Sequence, residues 1–166
     1  MFEQHRERNL SMVMDFYELT MSNGYFRDGV GNVRVAFDVF YRKNPDNGGF
    51  AIFAGLAQVV DYIRSLHFTD EDIAFLRAQG IFDENFLAYL KNFRFTGSIY
   101  ALREGTVMYP NTPVVTVVAP LIEAQIVETA LLLEINHQSL IATKANRIVR
   151  AAQGRVVSDF GARRAH

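Results

Sequence analysis

Three observations in the 166-residue sequence predict a mixed α/β fold. Residues 33–41 alternate strictly, with Val33, Val35, Phe37, Val39 and Tyr41 on one face and Arg34, Ala36, Asp38 and Phe40 on the other, which reads as a half-buried strand. Leu56, Val59, Val60, Ile63 and Leu66 instead recur at the spacing of an amphipathic helix. A long helical pattern after Pro120 then feeds the apolar run Val156-Val157-Ser158, which reads as a new, fully buried strand and so as half of a βαβ-type unit.

The elements follow in chain order. Asp15 is placed to cap a helix, with Glu18 three residues later reaching back in a capping box, and the helix runs to about Phe26 before Arg27-Asp28-Gly29. After the alternating strand, residues 44–49 (Asn-Pro-Asp-Asn-Gly-Gly) form a turn and Phe50 to Phe53 a returning strand. The amphipathic helix spans about Gly55 to Leu66. Thr69, with Asp70, Glu71 and Asp72 behind it, opens another helix that Gly80 stops. Phe86, Leu87 and Leu90 mark a further short helix. Ile99 to Leu102, Val107 to Tyr109 and Val114 to Ala119 read as short strands, separated by Glu104-Gly105 and by residues 110–113. The last helix carries Ile126, Ala130, Leu133, His137, Leu140, Ile141, Ile148 and Ala152, with a bend expected near Asn136 and an end at Gly154. The chain stops soon after its final apolar run, which reads as a larger fold cut short.

Composition narrows the class. Apolar residues make up 49% and charged residues 21%, the profile of a soluble globular chain, and 14 Phe with 7 Tyr supply many large rings to bury. A net charge of -1 without a basic block argues against a nucleic-acid binder. With no cysteine there is neither a disulfide nor a thiolate metal site, which fits a cytoplasmic location. The N-terminus is polar, and Pro120, Glu123, Gln125 and Glu128 interrupt the most apolar stretch, so neither a signal peptide nor a membrane span is expected.

Familiar catalytic signatures (GxxxxGK, GxSxG, HExxH) are missing, and His5, His67, His137 and His166 have no ligand spacing. Two places stand out. Tyr17 falls in the first turn of its helix, where unpaired N–H groups and the helix dipole favour an anionic ligand; the plainer alternative is that Phe16 and Tyr17 pack against the following strand. Residues 158–166 follow the expected buried strand, at the end where α/β folds bind ligands. There Phe160 can stack on a flat ring, Gly161 lets the backbone turn closely, and Arg163 and Arg164 can meet carboxylate or phosphate; the alternative is an exposed basic tail.

Four segments together resemble the nicotinate phosphoribosyltransferase family: residues 15–21 (its D-x-Y-x-x-T-M opening), Arg42-Lys43-Asn44-Pro45 with Gly48-Gly49-Phe50 and Ala54-Gly55-Leu56, the helical section 121–145, and residues 160–166 (its FG-x-RRA-H motif). They come in family order and span nearly the whole chain. The resemblance implies an N-terminal mixed α/β domain of a type II phosphoribosyltransferase over 1–120. Residues 121–166 would then hold a long helical segment and the first strand of a truncated irregular α/β barrel. It implies a cytoplasmic homodimer with shared active sites and no part for nucleic acid or membrane. Tyr17 would come from the neighbouring subunit to stack on one face of nicotinate and Phe160 would stack on the other. Arg163 would approach the carboxylate or the ribosyl phosphate, with Arg164 as a second contact. The family reaction joins nicotinate to phosphoribosyl pyrophosphate in NAD biosynthesis, with Mg2+ as partner and ATP hydrolysis coupled through a phosphorylated histidine. That histidine is expected beyond residue 166, so neither His137 nor His166 is given the role, no metal ligand is assigned, and the 166-residue chain alone is expected to show no turnover.

Two alternatives differ in kind. A nicotinamide-specific relative would usually carry serine and lysine around the tyrosine and a single arginine after DFG, whereas this chain has Phe16, Glu18 and the Arg163-Arg164 pair. A non-catalytic binding or dimerisation module would keep the N-terminal domain alone. A lipoyl- or biotinyl-carrying hairpin over 93–119 is excluded, because its tip, Glu104-Gly105, has no lysine nearby.

Overall fold

The structure is a computed structural model that describes residues 9–161. Helix α1 (Phe16–Arg27) leads to strand β1 (Arg34–Phe40), a single 3-10 turn (Pro45–Asn47) and the two-residue strand β2 (Ala51–Ile52). Helices α2 (Leu56–Ser65), α3 (Asp70–Ala78) and α4 (Glu84–Lys91) follow. Strands β3 (Ser98–Ala101), β4 (Val107–Met108) and β5 (Pro113–Pro120) then precede α5 (Leu121–Ile126) and the 25-residue α6 (Glu128–Ala152). No helix among the described residues is long and apolar enough to cross a membrane.

The predicted alternation of β1 is realised: Val35, Phe37 and Val39 turn inward while their neighbours are more exposed. Its partner is not the returning segment at 50–53. β1 pairs antiparallel with β5, from Arg34 opposite Pro120 to Phe40 opposite Pro113, and β3 lies on the other side of β5. β2 pairs only with β4. A two-residue strand cannot cover β1, whereas β5 presents Val115, Val117 and Ala119 in matching alternation. The free edge of β2 is closed by α6: the Thr143 hydroxyl accepts from Ile52 N–H at 2.9 Å, and the Ser139 hydroxyl accepts from Ala54 N–H at 3.1 Å. Those hydroxyls supply the partners that buried backbone groups require.

Phenylalanine fills the core. Phe53, Phe86 and Phe93 are fully buried, and rings run in edge, tilted and stacked contacts from Phe16 through Phe82, Phe86, Tyr89 and Phe93 to Phe68. Arrangements of this kind add to plain area burial. α5 packs on β1, β5 and α1, and α6 packs on β2 and α2.

The helix start at Thr69 is as expected. Its hydroxyl accepts from Asp72 N–H at 3.1 Å while the Asp72 carboxylate accepts from Thr69 N–H at 2.8 Å. Thr69→Ala should therefore cost about 1 kcal/mol in urea unfolding. At α1 the capping box does not form. Asp15 makes no side-chain cap bond, and the Glu18 carboxylate is drawn away to Thr129.

The long C-terminal helical pattern breaks at Val127, between α5 and α6, and not near Asn136. Asparagine lowers helix propensity without removing a backbone donor, so α6 runs through it. α6 ends at Gln153 and Gly154, both left-handed. The buried strand expected at Val156 to Ser158 is not formed: the segment is irregular and Val156 is 93% exposed. Strands take their hydrogen bonds from neighbours, and no described strand lies beside this one.

Candidate functional site

The amino ends of α1 and α6 meet, and Asp15, Tyr17 and Glu18 join α6 there. Tyr17 is the second residue of α1 and 43% exposed, so its ring is not part of the buried core. Its hydroxyl donates to Glu128 Oε1 at 3.0 Å, and Gln125 Nε2 donates to Glu128 Oε2 at 2.7 Å. Partial burial pushes the phenol up to about 12, helped by this hydrogen bond and by the negative charges of Glu128, Glu18 and Asp15. At neutral pH it is an uncharged donor. Phe16 points elsewhere, meeting the Phe82 ring edge-on at 5.8 Å.

Glu18 is fully buried beneath this turn. Its Oε1 accepts from Thr129 N–H at 2.9 Å and from the Thr129 hydroxyl at 2.7 Å, which satisfies an amide in the first turn of α6. Asp15 N–H donates to the same hydroxyl at 3.2 Å. The other Glu18 oxygen, the Ser22 hydroxyl and the Tyr62 hydroxyl are buried without a protein partner. Burial pushes the Glu18 carboxyl up from its ordinary 4.5 to about 7, against the opposing pull of the Thr129 bonds.

Beside this junction two adjoining cavities, of about 610 and 510 Å³, run between β1 and the first turns of α6. Both include Val39, Phe40, Arg42 and Leu132; Asp15, Thr129 and Lys43 line the first, and Glu128 the second. Their size falls in the range of small-molecule sites. Arg42 and Lys43 thus share a groove with the residues that hold Tyr17. The sequence presents the two cations only as part of a motif, because what places them here is the pairing of β1 with β5 and the packing of α5 and α6 beside it.

Phe160 is 81% exposed on the irregular segment after α6, next to a short turn in which Gly161 N–H donates to Asp159 Oδ1 at 2.7 Å. Among the described residues no ring contact joins Phe160 to Tyr17 within the chain. Arg163, Arg164 and His166 lie outside the described residues, as does His5. His67 is held by Ser65 O at 2.6 Å from its Nδ1. Among the described residues, no three His, Asp or Glu side chains are grouped to hold a metal ion.

Residues 12–136 match the family model described as the nicotinate phosphoribosyltransferase (NAPRTase) N-terminal domain. The chain is 46% identical over 156 residues to nicotinate phosphoribosyltransferase pncB2 of Mycobacterium tuberculosis, an alignment that covers 94% of this chain and 34% of the relative. It is 42% identical over 161 residues to the nicotinate phosphoribosyltransferase of Bacillus subtilis, covering 97% and 33%. Among solved structures, human nicotinic acid phosphoribosyltransferase superposes with a TM-score of 0.80 at 33% identity, over 88% of this chain and 30% of that one. Nicotinate-nucleotide pyrophosphorylase from Pyrococcus furiosus shares the fold, with a TM-score of 0.72 at 24% identity over 100% of this chain and 36% of that one. The chain spans about a third of the length of the curated relatives it matches. With most of its length inside the family model, this mixed α/β chain belongs to the nicotinate phosphoribosyltransferase family, whose N-terminal domain it supplies.

Proposed function

We propose that the protein carrying this domain forms nicotinate mononucleotide from nicotinate and phosphoribosyl pyrophosphate, a step of NAD biosynthesis. The observation that carries this reading is the family match over residues 12–136 together with an exposed, neutral Tyr17 at the start of α1. The pyridine nitrogen would use its lone pair to bond the anomeric carbon, and pyrophosphate would leave with the electrons of the broken bond. What residues of this chain contribute is orientation. The Tyr17 ring, offered across a twofold axis to a second subunit, would cover one face of nicotinate, and Phe160 of that subunit the other. Arg163 and Arg164 would hold carboxylate or phosphate. The exposure of Tyr17 and Phe160, and the lack of contact between them within one chain, support a site shared by two subunits. Magnesium would accompany the diphosphate, and ATP hydrolysis would be coupled at groups outside this chain, as in a cytoplasmic, ligase-type homodimer. Residues 1–120 and 121–166 would then divide into the N-terminal domain and the start of the barrel.

In the intact protein, nicotinate-dependent release of pyrophosphate with formation of nicotinate mononucleotide tests the reaction. Tyr17→Ala should raise the KM for nicotinate about tenfold, in line with the worth of a ring stack. An intact protein that turns over no nicotinate refutes the activity, and an unchanged KM refutes the role of Tyr17. The isolated 166-residue chain should show no turnover.

A further inference from the structure

Tyr17 is held by more than its own helix. Its hydroxyl ends on Glu128, the first residue of α6, at 3.0 Å. Gln125, at the end of α5, holds the other oxygen of that carboxylate at 2.7 Å. Glu128 is fixed at both oxygens and offers one of them to the phenol. The turn bearing Tyr17 is in turn locked to α6 through Thr129, whose amide and hydroxyl donate to the Glu18 carboxylate and whose hydroxyl accepts from the Asp15 amide. An exposed tyrosine ring is ordinarily free to swing about its side-chain torsions. This one is tied at both ends, by its helix and by its hydroxyl.

We propose that Glu128 is a positioning residue for the transfer reaction, fixing the plane of the Tyr17 ring by gripping its hydroxyl and placing a negative charge at the hydroxyl edge of that ring. The proposal rests on the reading of Tyr17 as a nicotinate-stacking residue. The pyridine is neutral at its nitrogen before transfer and carries a positive charge there once the nitrogen–carbon bond has formed. A phenol hydrogen-bonded to a carboxylate gains electron density, so its face attracts a developing cation more strongly than an unpaired ring does. The grip should therefore act on KM through orientation, and the charge on kcat through the transition state.

The test is a set of variants of the intact protein. Tyr17→Phe keeps the ring and cuts the tether, and Glu128→Ala cuts it from the other side. Each should lower kcat/KM for nicotinate about tenfold, as expected for a hydrogen bond to a charged group. The double variant Tyr17→Phe/Glu128→Ala should be no worse than Glu128→Ala alone, which already removes both grip and charge. Glu128→Gln retains an acceptor oxygen, so it should restore most of the KM while kcat remains low. In protein labelled with 13C at the tyrosine ring carbon bearing the hydroxyl, the signal lost in Tyr17→Phe should titrate at lower pH in Glu128→Gln than in wild type. Should Glu128→Ala not fold, the Tyr17→Phe/Glu128→Gln pair and this titration decide the matter. Fully additive losses, or a Tyr17 signal that titrates identically in both proteins, would overturn the proposal even if Tyr17→Ala impairs nicotinate binding. A Tyr17→Ala protein with unchanged nicotinate kinetics overturns the stacking reading and this proposal together.

Discussion

Gly55→Ala should destabilise the protein by about 3 kcal/mol, a large share of the stability of an ordinary domain. Gly55 sits at φ +104, a backbone region that L side chains rarely adopt, just before the first turn of α2. A Cβ there would lie 2.7 Å from Glu134 O and 3.0 Å from its carbonyl carbon, both backbone atoms of α6. Left-handed strain costs about 1–2 kcal/mol and forced overpacking a further 1–3 kcal/mol. The same substitution separates α2 from α6 and strains the two 2.7 Å bonds by which Glu104 caps the Gly55 and Leu56 amides. Gly80 is a matched control: it is also left-handed, at φ +70, but faces open space, so Gly80→Ala should cost only about 1–2 kcal/mol. Urea unfolding of the two variants measures the difference. Equal losses would show that close approach to α6 contributes nothing.

Glu18→Gln should make the protein more stable above neutrality and remove a pH dependence that wild type shows. The folded chain keeps the Glu18 proton up to about pH 7, whereas the unfolded chain releases it near the ordinary 4.5. Between those values the native state binds more protons than the unfolded one, so stability falls as pH rises. The contribution is fully present below the unfolded value and gone above the folded one. For a fully buried carboxyl the swing is about 3 kcal/mol. Unfolding free energies of wild type and Glu18→Gln, taken from pH 4 to 8, should diverge by about that much. A constant difference across this range would mean that Glu18 ionises freely where it lies.

Local chemistry was readable and tertiary choice was not. Thr69 and Asp72 form their box because both partners sit within one turn. Asp15 and Glu18 have the same spacing, but Thr129, far along the chain, offers Glu18 an amide and a hydroxyl that the N-cap backbone cannot match. The buried side of α1 carries Glu18, Ser22 and Asn23, which is why the helix shows little apolar periodicity. Tyr17 could be singled out from its place in a first helical turn. Glu128 and Gln125 could not, since a carboxylate and an amide near a helix start usually look to solvent or to the dipole. Likewise Val35, Phe37 and Val39 announce a strand but do not name its neighbour. The apolar run at Val156 reads as a strand only if another strand waits beside it, and none does among the described residues.

The pairing of Arg34 with Pro120 carries a consequence for how the molecule is made. As the nascent polypeptide leaves the ribosome, β1 appears early and its mate β5 only after three helices and three short strands have followed. Until then its alternating apolar side has no sheet to join, and closing so long a loop is slow compared with coiling the helices between. Assembly is thus expected to start with the local helices α2 to α4, leaving the first strand exposed to chaperones and to neighbouring nascent chains for most of synthesis.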